Sequence, residues 1–179
     1  MAESALGPPR DHRVLYPESQ VRERIAQLGR EISDHYRDRG ALLVIGLLKG
    51  SFIFMADLTR ALNVPAQMDF MAVSSYGANN KTSGEVQIHL DVRTPLKDRD
   101  VLLVEDIVDS GTTLNRLLPQ LRAREPRTLE VCALLRKPGN SGIAEPVRWV
   151  GFDAPNDFLV GYGLDLAEQY RQLPFIAAI

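Results

Sequence analysis

The run Ala41–Leu48, ALLVIGLL, is apolar from end to end. A strand with one face in water alternates apolar and polar residues. An unbroken apolar run instead predicts a strand covered on both faces. The run is too short to span a bilayer as a helix, which takes about 20 apolar residues. Lys49-Gly50-Ser51 ends it, and FIFMADLTRAL then reads as a helix. Strand, turn and helix in that order open a parallel α/β unit.

The pattern returns along the chain. AQMDFMAVSSYG reads as a second strand, VLLVED (Val101–Asp106) as a third and TLEVCALL as a fourth, with a helix expected to start near Thr112. Pro119 falls inside that helix and predicts that it is kinked or short. EVQIHLDV alternates, with Val86, Ile88 and Leu90 on one side and Glu85, Gln87, His89 and Asp91 on the other, as in a half-exposed strand. Upstream, Val21, Ile25, Leu28 and Ile32 recur at helical spacing. Pro17 suits the first turn of that helix and Gly40 its stop. Near the C-terminus VRWVGF and FLVGYGL are strand-like, a short helical turn is expected near Ala167–Arg171, and PFIAAI follows. The expectation is one α/β domain over residues 15–179, with a mostly parallel central sheet flanked by helices. Residues 1–14, with Gly7-Pro8-Pro9, read as a disordered tail.

Composition narrows the function classes. The formal net charge is -2 with Lys and Arg dispersed, which argues against a dedicated nucleic-acid surface. A single cysteine, Cys132, rules out a disulfide framework within one chain. His12, His35 and His89 show no metal-site spacing. The first residues lack the basic-then-apolar pattern of a secretory signal. No membrane association is expected, and the cytoplasm is the expected location.

The chemistry concentrates in VLLVEDIVDSGTTL, Val101–Leu114. An oily strand ends in Glu105 and Asp106, at the carboxyl end where open α/β sheets bind ligands. Adjacent carboxylates repel unless a cation or a set of donors joins them. Mg²⁺ and a sugar diol each answer that need. Asp109 to Thr113 then forms a turn into a helix N-terminus, whose backbone N–H groups and dipole attract phosphate. Gly111 permits close approach, and Ser110, Thr112 and Thr113 add hydroxyl donors. Asp109 lies between phosphate and diol, able to take or give a proton. Each residue alone also fits an ordinary strand end with a Ser/Thr helix cap; the whole run argues for a phosphorylated sugar. A Walker P-loop is excluded because no Gly-x4-Gly-Lys-Ser/Thr string occurs. A receiver domain is disfavoured because its acidic pair lies near the domain start. The polar stretch SSYGANNKTSG reads as either a hairpin loop or a lid.

The run resembles the phosphoribosyl-pyrophosphate motif of type I phosphoribosyltransferases. LLKGSFIFMADL, SSYG with SGEVQI, LLRKP and VGFDAPNDFLVGYGLDLAEQYRQLPFI resemble the hypoxanthine-guanine branch of that family, over about residues 15–179. The resemblance implies that fold, with a small hood from the terminal segments and a flexible active-site loop. It implies transfer of phosphoribosyl from phosphoribosyl pyrophosphate to hypoxanthine or guanine, with Mg²⁺. Lys49, Gly50 and Arg171 would hold pyrophosphate, Lys49 through a strained peptide with Leu48. Glu105 and Asp106 would bind the ribose hydroxyls, and with Asp165 the metal. Asp109 would handle the purine N7 proton. Residues 109–113 (Asp109, Ser110, Gly111, Thr112, Thr113) would cradle the 5′-phosphate. Lys137 would donate to the purine 6-oxygen, Phe158 would stack on the base and the Leu159 backbone would read its edge. Ser75 and Tyr76 would close as a lid, and a homodimer or homotetramer is expected. The rivals are a transferase for xanthine or adenine and a nucleic-acid-binding regulator on the same fold.

Overall fold

The computed structural model describes residues 11–75, 86–137, 139 and 142–179. A six-stranded sheet forms its centre, built from β2 (Leu42–Leu48), β3 (Ala66–Ser75), β4 (Val86–Leu90), β5 (Asp100–Val108), β6 (Thr128–Arg136) and β7 (Trp149–Asp153). The strand order is β4-β3-β2-β5-β6-β7, and only the β3–β4 pair is antiparallel. Helices α1 (Glu18–Tyr36), α2 (Phe52–Ala61) and α3 (Thr112–Arg122) cover it.

The apolar runs are unbroken because both faces of each strand are covered. Leu42 and Val44 of β2, with Leu102 and Val104 of β5, join the core that holds α1 and α2. Their neighbours Leu43, Ile45, Val101 and Leu103 join the core on the α3 side. Successive strand residues alternate between faces, so one apolar run feeds two cores. Val21, Ile25, Leu28 and Ile32 are the buried stripe of α1, as their spacing requires. That helix stops at Tyr36, before Gly40, because Asp38 already turns the chain with φ of 64°. Helix α3 continues through Pro119 to Arg122, held down by buried Leu114, Leu117, Leu118 and Leu121.

A second, three-stranded sheet forms the hood. β1 (Arg13–Tyr16) pairs antiparallel with β9 (Ile176–Ala178), which pairs antiparallel with β8 (Leu159–Val160). Arg13 is in register with Ala178, so strand structure begins two residues before position 15. The short helical turn expected at Ala167–Arg171 is absent. Ala167, Glu168 and Tyr170 have φ of 50°, 66° and 73°, and Leu166 and Gln169 form a β-bridge. Leu90 is 40% exposed rather than inward-facing, because the pairing register shifts between Ala72 and Val73. Among the described residues no helix is long and apolar enough to cross a membrane.

Candidate active site

The pairing of β5 explains where its acids stand. β2 accompanies it only as far as Gly46 opposite Val104, then turns away into Lys49. β6 accompanies it to Val108, so β5 runs beyond the strand end expected at Asp106. Glu105 and Asp106 therefore sit where one neighbour has left and a pocket opens. By strand alternation they start toward opposite faces. Asp106 lies against Gly50: a Cβ built there would meet Asp106 Oδ2 at 1.6 Å. Any side chain at position 50 would evict the carboxylate. Burial at the pocket floor raises both acids, Glu105 well above the usual range. Repulsion from Asp106 adds to Glu105, and repulsion from Asp165 adds to Asp106. Backbone N–H bonds to Asp106, that of Ile107 among them, and the charge of Arg171 partly offset its shift.

Asp109 to Thr113 forms the turn into α3. Gly111 is its N-cap with φ of 74°, a conformation that suits glycine. A Cβ there would also strike Ile143 Cγ1 at 2.4 Å. Thr112 N–H donates to Ser110 Oγ at 3.4 Å, and no side chain caps the rest of the first turn of α3, whose N–H groups suit an anion. Ser110 Oγ and Thr112 Oγ1 lie 2.9 Å apart. Residues 142–144 brace this turn. Gly142 N–H donates to Ser110 O at 3.2 Å, Asn115 Nδ2 donates to Gly142 O at 2.7 Å, and Ala144 N–H donates to Asn115 Oδ1 at 2.8 Å. Sequence reading missed Asn115 and Ile143, because their partners lie about 30 residues away and no local pattern announces them.

Lys137, just past β6, is 9% exposed and its Nζ donates to Asp109 Oδ2 at 3.3 Å. Phe158, just before β8, is 53% exposed, with its carbonyl accepting from Ile179 N–H at 3.0 Å. Leu159 is buried and in register with Ala178. Phe158 thus offers an exposed ring, a surface that a flat heterocycle can stack on.

Lys49 follows a cis peptide bond with Leu48. Its Nζ contacts Glu168 Oε2 at 3.0 Å. Arg171 Nη1 donates to Gly163 O at 2.7 Å, and Nη2 contacts Asp165 Oδ1 at 2.8 Å and Glu168 Oε2 at 3.4 Å. Arg171 Nε is buried with no hydrogen-bond partner, a donor that suits an anion's oxygen. Asp165 Oδ2 also accepts from Glu168 N–H at 2.8 Å. Gly163, with φ of 102°, lies against Gly50, its ideal Cβ 2.0 Å from Gly50 O. The 161–171 segment thus packs directly on the Lys49–Gly50 turn. Of the lid pair, Tyr76 lies outside the described residues, and Ser75 is described only as the last residue of β3.

Lys49, Gly50, Glu105, Asp106, Thr113, Asp165 and Arg171 line one pocket of about 260 Å³. Among the described residues no three acidic, His or Cys side chains form a ready metal cage. The donor chemistry nonetheless suits Mg²⁺, which uses one or two carboxylates and completes its shell with water and substrate oxygens. Carboxylates raised by burial and by repulsion from a neighbouring acid are groups that such a cation would relieve. A larger cleft of about 650 Å³ lies between α1, α2 and residues 172–174. Its charged rim pairs with itself, Glu18 with Arg22 and Asp57 with Arg60, and none of the candidate site residues lines it.

Residues 16–166 match the phosphoribosyl transferase domain family. The chain is 53% identical to the hypoxanthine-guanine phosphoribosyltransferase of Mycobacterium avium, over 93% of this chain and 84% of that protein. It is 46% identical to the hypoxanthine phosphoribosyltransferase of Salmonella typhimurium, over 93% of this chain and 94% of that protein. A crystal structure of a hypoxanthine-guanine phosphoribosyltransferase from Bacillus anthracis, with a HEPES molecule in its active site, superposes with a TM-score of 0.88 at 39% identity. That match covers 93% of this chain and 98% of the other.

Proposed function

The chain belongs to the phosphoribosyl transferase family, and from that premise we propose that it makes inosine or guanosine monophosphate for purine salvage. It takes phosphoribosyl pyrophosphate and a 6-oxopurine, hypoxanthine or guanine, and releases pyrophosphate. One observation carries the reading: a single pocket is lined by residues from three distant segments, 47–50, 105–113 and 165–171. Each segment suits a different part of the same substrate.

The 5′-phosphate sits on the Asp109–Thr113 turn, where backbone N–H groups and the helix dipole supply roughly 0.3–1 kcal/mol, up to ~2 when shielded. The ribose hydroxyls donate to Glu105 and Asp106. Lys49, the Gly50 backbone and Arg171 take the pyrophosphate. Mg²⁺, held by Glu105, Asp106 or Asp165 together with substrate oxygens, supplies neutralisation of the leaving group's charge. The base stacks on Phe158, with the Leu159 backbone at its edge. Lys137 donates to the 6-oxygen while Asp109, 3.3 Å from Lys137, faces N7.

In the reaction N9 of the purine bonds to C1′ of the ribose as the C1′–O bond to pyrophosphate breaks. The N7 proton passes to the Asp109 carboxylate. Lys49 and Arg171 stabilise the charge that gathers on the departing oxygens. Water reaching C1′ would hydrolyse the substrate, which supports a closing role for Ser75 and Tyr76. The protein acts in the cytoplasm as a homodimer or homotetramer.

The test is direct: purified protein, Mg²⁺ and phosphoribosyl pyrophosphate, offered hypoxanthine, guanine, xanthine and adenine in turn. Nucleotide forms with hypoxanthine or guanine, and adenine is rejected by up to ~10⁴-fold because its amino group opposes the Lys137 donor. Failure with both 6-oxopurines overturns the reading.

A further inference from the structure

Resting on that reading, we infer that Glu168 is a built-in competitor of pyrophosphate. One of its carboxylate oxygens, Oε2, lies 3.0 Å from Lys49 Nζ and 3.4 Å from Arg171 Nη2. These are the side-chain cations assigned above to the leaving group. A single acidic oxygen bridging both occupies the position that a phosphate oxygen would take.

The backbone holds Glu168 to this task. Ala167, Glu168 and Tyr170 all adopt positive φ, a region that side chains other than glycine seldom enter. Leu166 and Gln169 exchange backbone hydrogen bonds at 3.0 and 3.2 Å, and Glu168 N–H donates to Asp165 Oδ2 at 2.8 Å. A tight loop in unfavourable conformations thus presents one acid to two cations 119 and three residues away. Stability accounts for little of the Lys49 contact. Lys49 and Glu168 side chains are 67% and 63% exposed, and such exposed pairs contribute little to folding. In competition with a ligand the same contact matters, because each incoming oxygen must displace it.

Two consequences follow from the geometry. Ligands with one weak negative charge gain too little from Lys49 and Arg171 to displace Glu168, so the site favours polyanions. After transfer, Glu168 can reclaim the cations as pyrophosphate departs, which speeds release.

The experiment is calorimetric titration of inorganic pyrophosphate with Mg²⁺ into the full-length wild type, Glu168→Gln, Glu168→Ala and Lys49→Ala. Pyrophosphate Kd should fall about two- to fivefold in both Glu168 variants, the scale of one exposed ion pair. Affinity for inosine monophosphate, which lacks the pyrophosphate, should not change. Equal or weaker pyrophosphate binding in both Glu168 variants, with melting temperature retained, overturns the competitor role. If Lys49→Ala leaves pyrophosphate affinity intact, or the wild type does not bind pyrophosphate, the assignment of the cations fails and the inference fails with it. If Lys49→Ala weakens binding while the Glu168 variants do not tighten it, the inference alone fails.

Discussion

In the proposed mechanism Asp109 and Lys137 divide one task. Lys137 is buried and cationic, Asp109 is exposed, and they meet at 3.3 Å. Replacing Asp109 with Asn keeps the shape and removes the carboxylate proposed to accept the N7 proton. Turnover should fall by about 10²–10⁴-fold, the usual contribution of a positioned base, with the KM for phosphoribosyl pyrophosphate changed far less. Steady-state kinetics with hypoxanthine checks this; an unchanged kcat would remove Asp109 from the chemistry. Glu105 makes a different trade. Its charge is desolvated and repelled by Asp106, so the folded chain carries it at a cost. Glu105→Gln should raise the melting temperature in Mg²⁺-free buffer on the alkaline side, because a carboxyl whose folded pKa is raised costs stability once it ionises. It should also lose the additional stabilisation expected of Mg²⁺ and phosphoribosyl pyrophosphate in the wild type. Thermal melts with and without both ligands measure the two effects, and a lower melting temperature without ligands would contradict the first. The sequence made Glu105 and Asp109 readable because they fall in one contiguous run; Lys137, 28 residues beyond Asp109, was reached only through the family resemblance. Glu168 was not readable, since its significance lies in Lys49, more than a hundred residues away.

Elements read well where periodicity alone decides them and poorly where a partner does. Each fully apolar run became a doubly covered strand, and the helical stripe of α1 packed as spaced. The end of β5 could not be read from its own residues. β6 stays paired to Val108 while β2 leaves at Val104, and that difference opens the pocket. The Ala167–Arg171 segment has helix-compatible composition, but its contacts with Lys49 and Asp165 fix it as a left-handed loop. Glycines mark the close approaches between such elements. Gly163 combines φ of 102° with a clash distance of 2.0 Å to Gly50 O. Gly163→Ala must therefore strain its own backbone and push the Lys49–Gly50 turn aside. We expect a loss of about 1–3 kcal/mol in stability and a raised KM for phosphoribosyl pyrophosphate. Urea unfolding and kinetics on one preparation measure both; unchanged values would mean the two turns move independently.

At the scale of the molecule, order along the chain and order across the sheet differ, and the difference places the site. β2 and β5 are neighbours although α2, β3 and β4 intervene in sequence, so the Lys49 turn and the acidic strand end meet at one edge of the pocket. The rule for parallel α/β units fixes the hand of such a crossover but not which strands become neighbours, so this adjacency was not legible in the sequence. The hood was expected from family resemblance, not from spacing. The surface carries a further consequence. β4 pairs with β3 only from Ala72 onward, leaving the first half of β3 paired on one side. Met68 and Phe70 on that half are 54% and 39% exposed, and Phe52 at the start of α2 is 44% exposed. This edge meets residues 93–94 through the Gln67 and Asp69 side chains, and large apolar side chains exposed beside it make a surface that self-association covers. Sedimentation should give a dimer or tetramer for the wild type. Met68→Glu with Phe70→Glu should shift it toward monomer with the fold retained by circular dichroism, because a buried pair of like charges opposes closure of a symmetric interface. A wild type that sediments as a monomer at micromolar concentration would contradict the assembly, and an unshifted double variant would place the interface elsewhere.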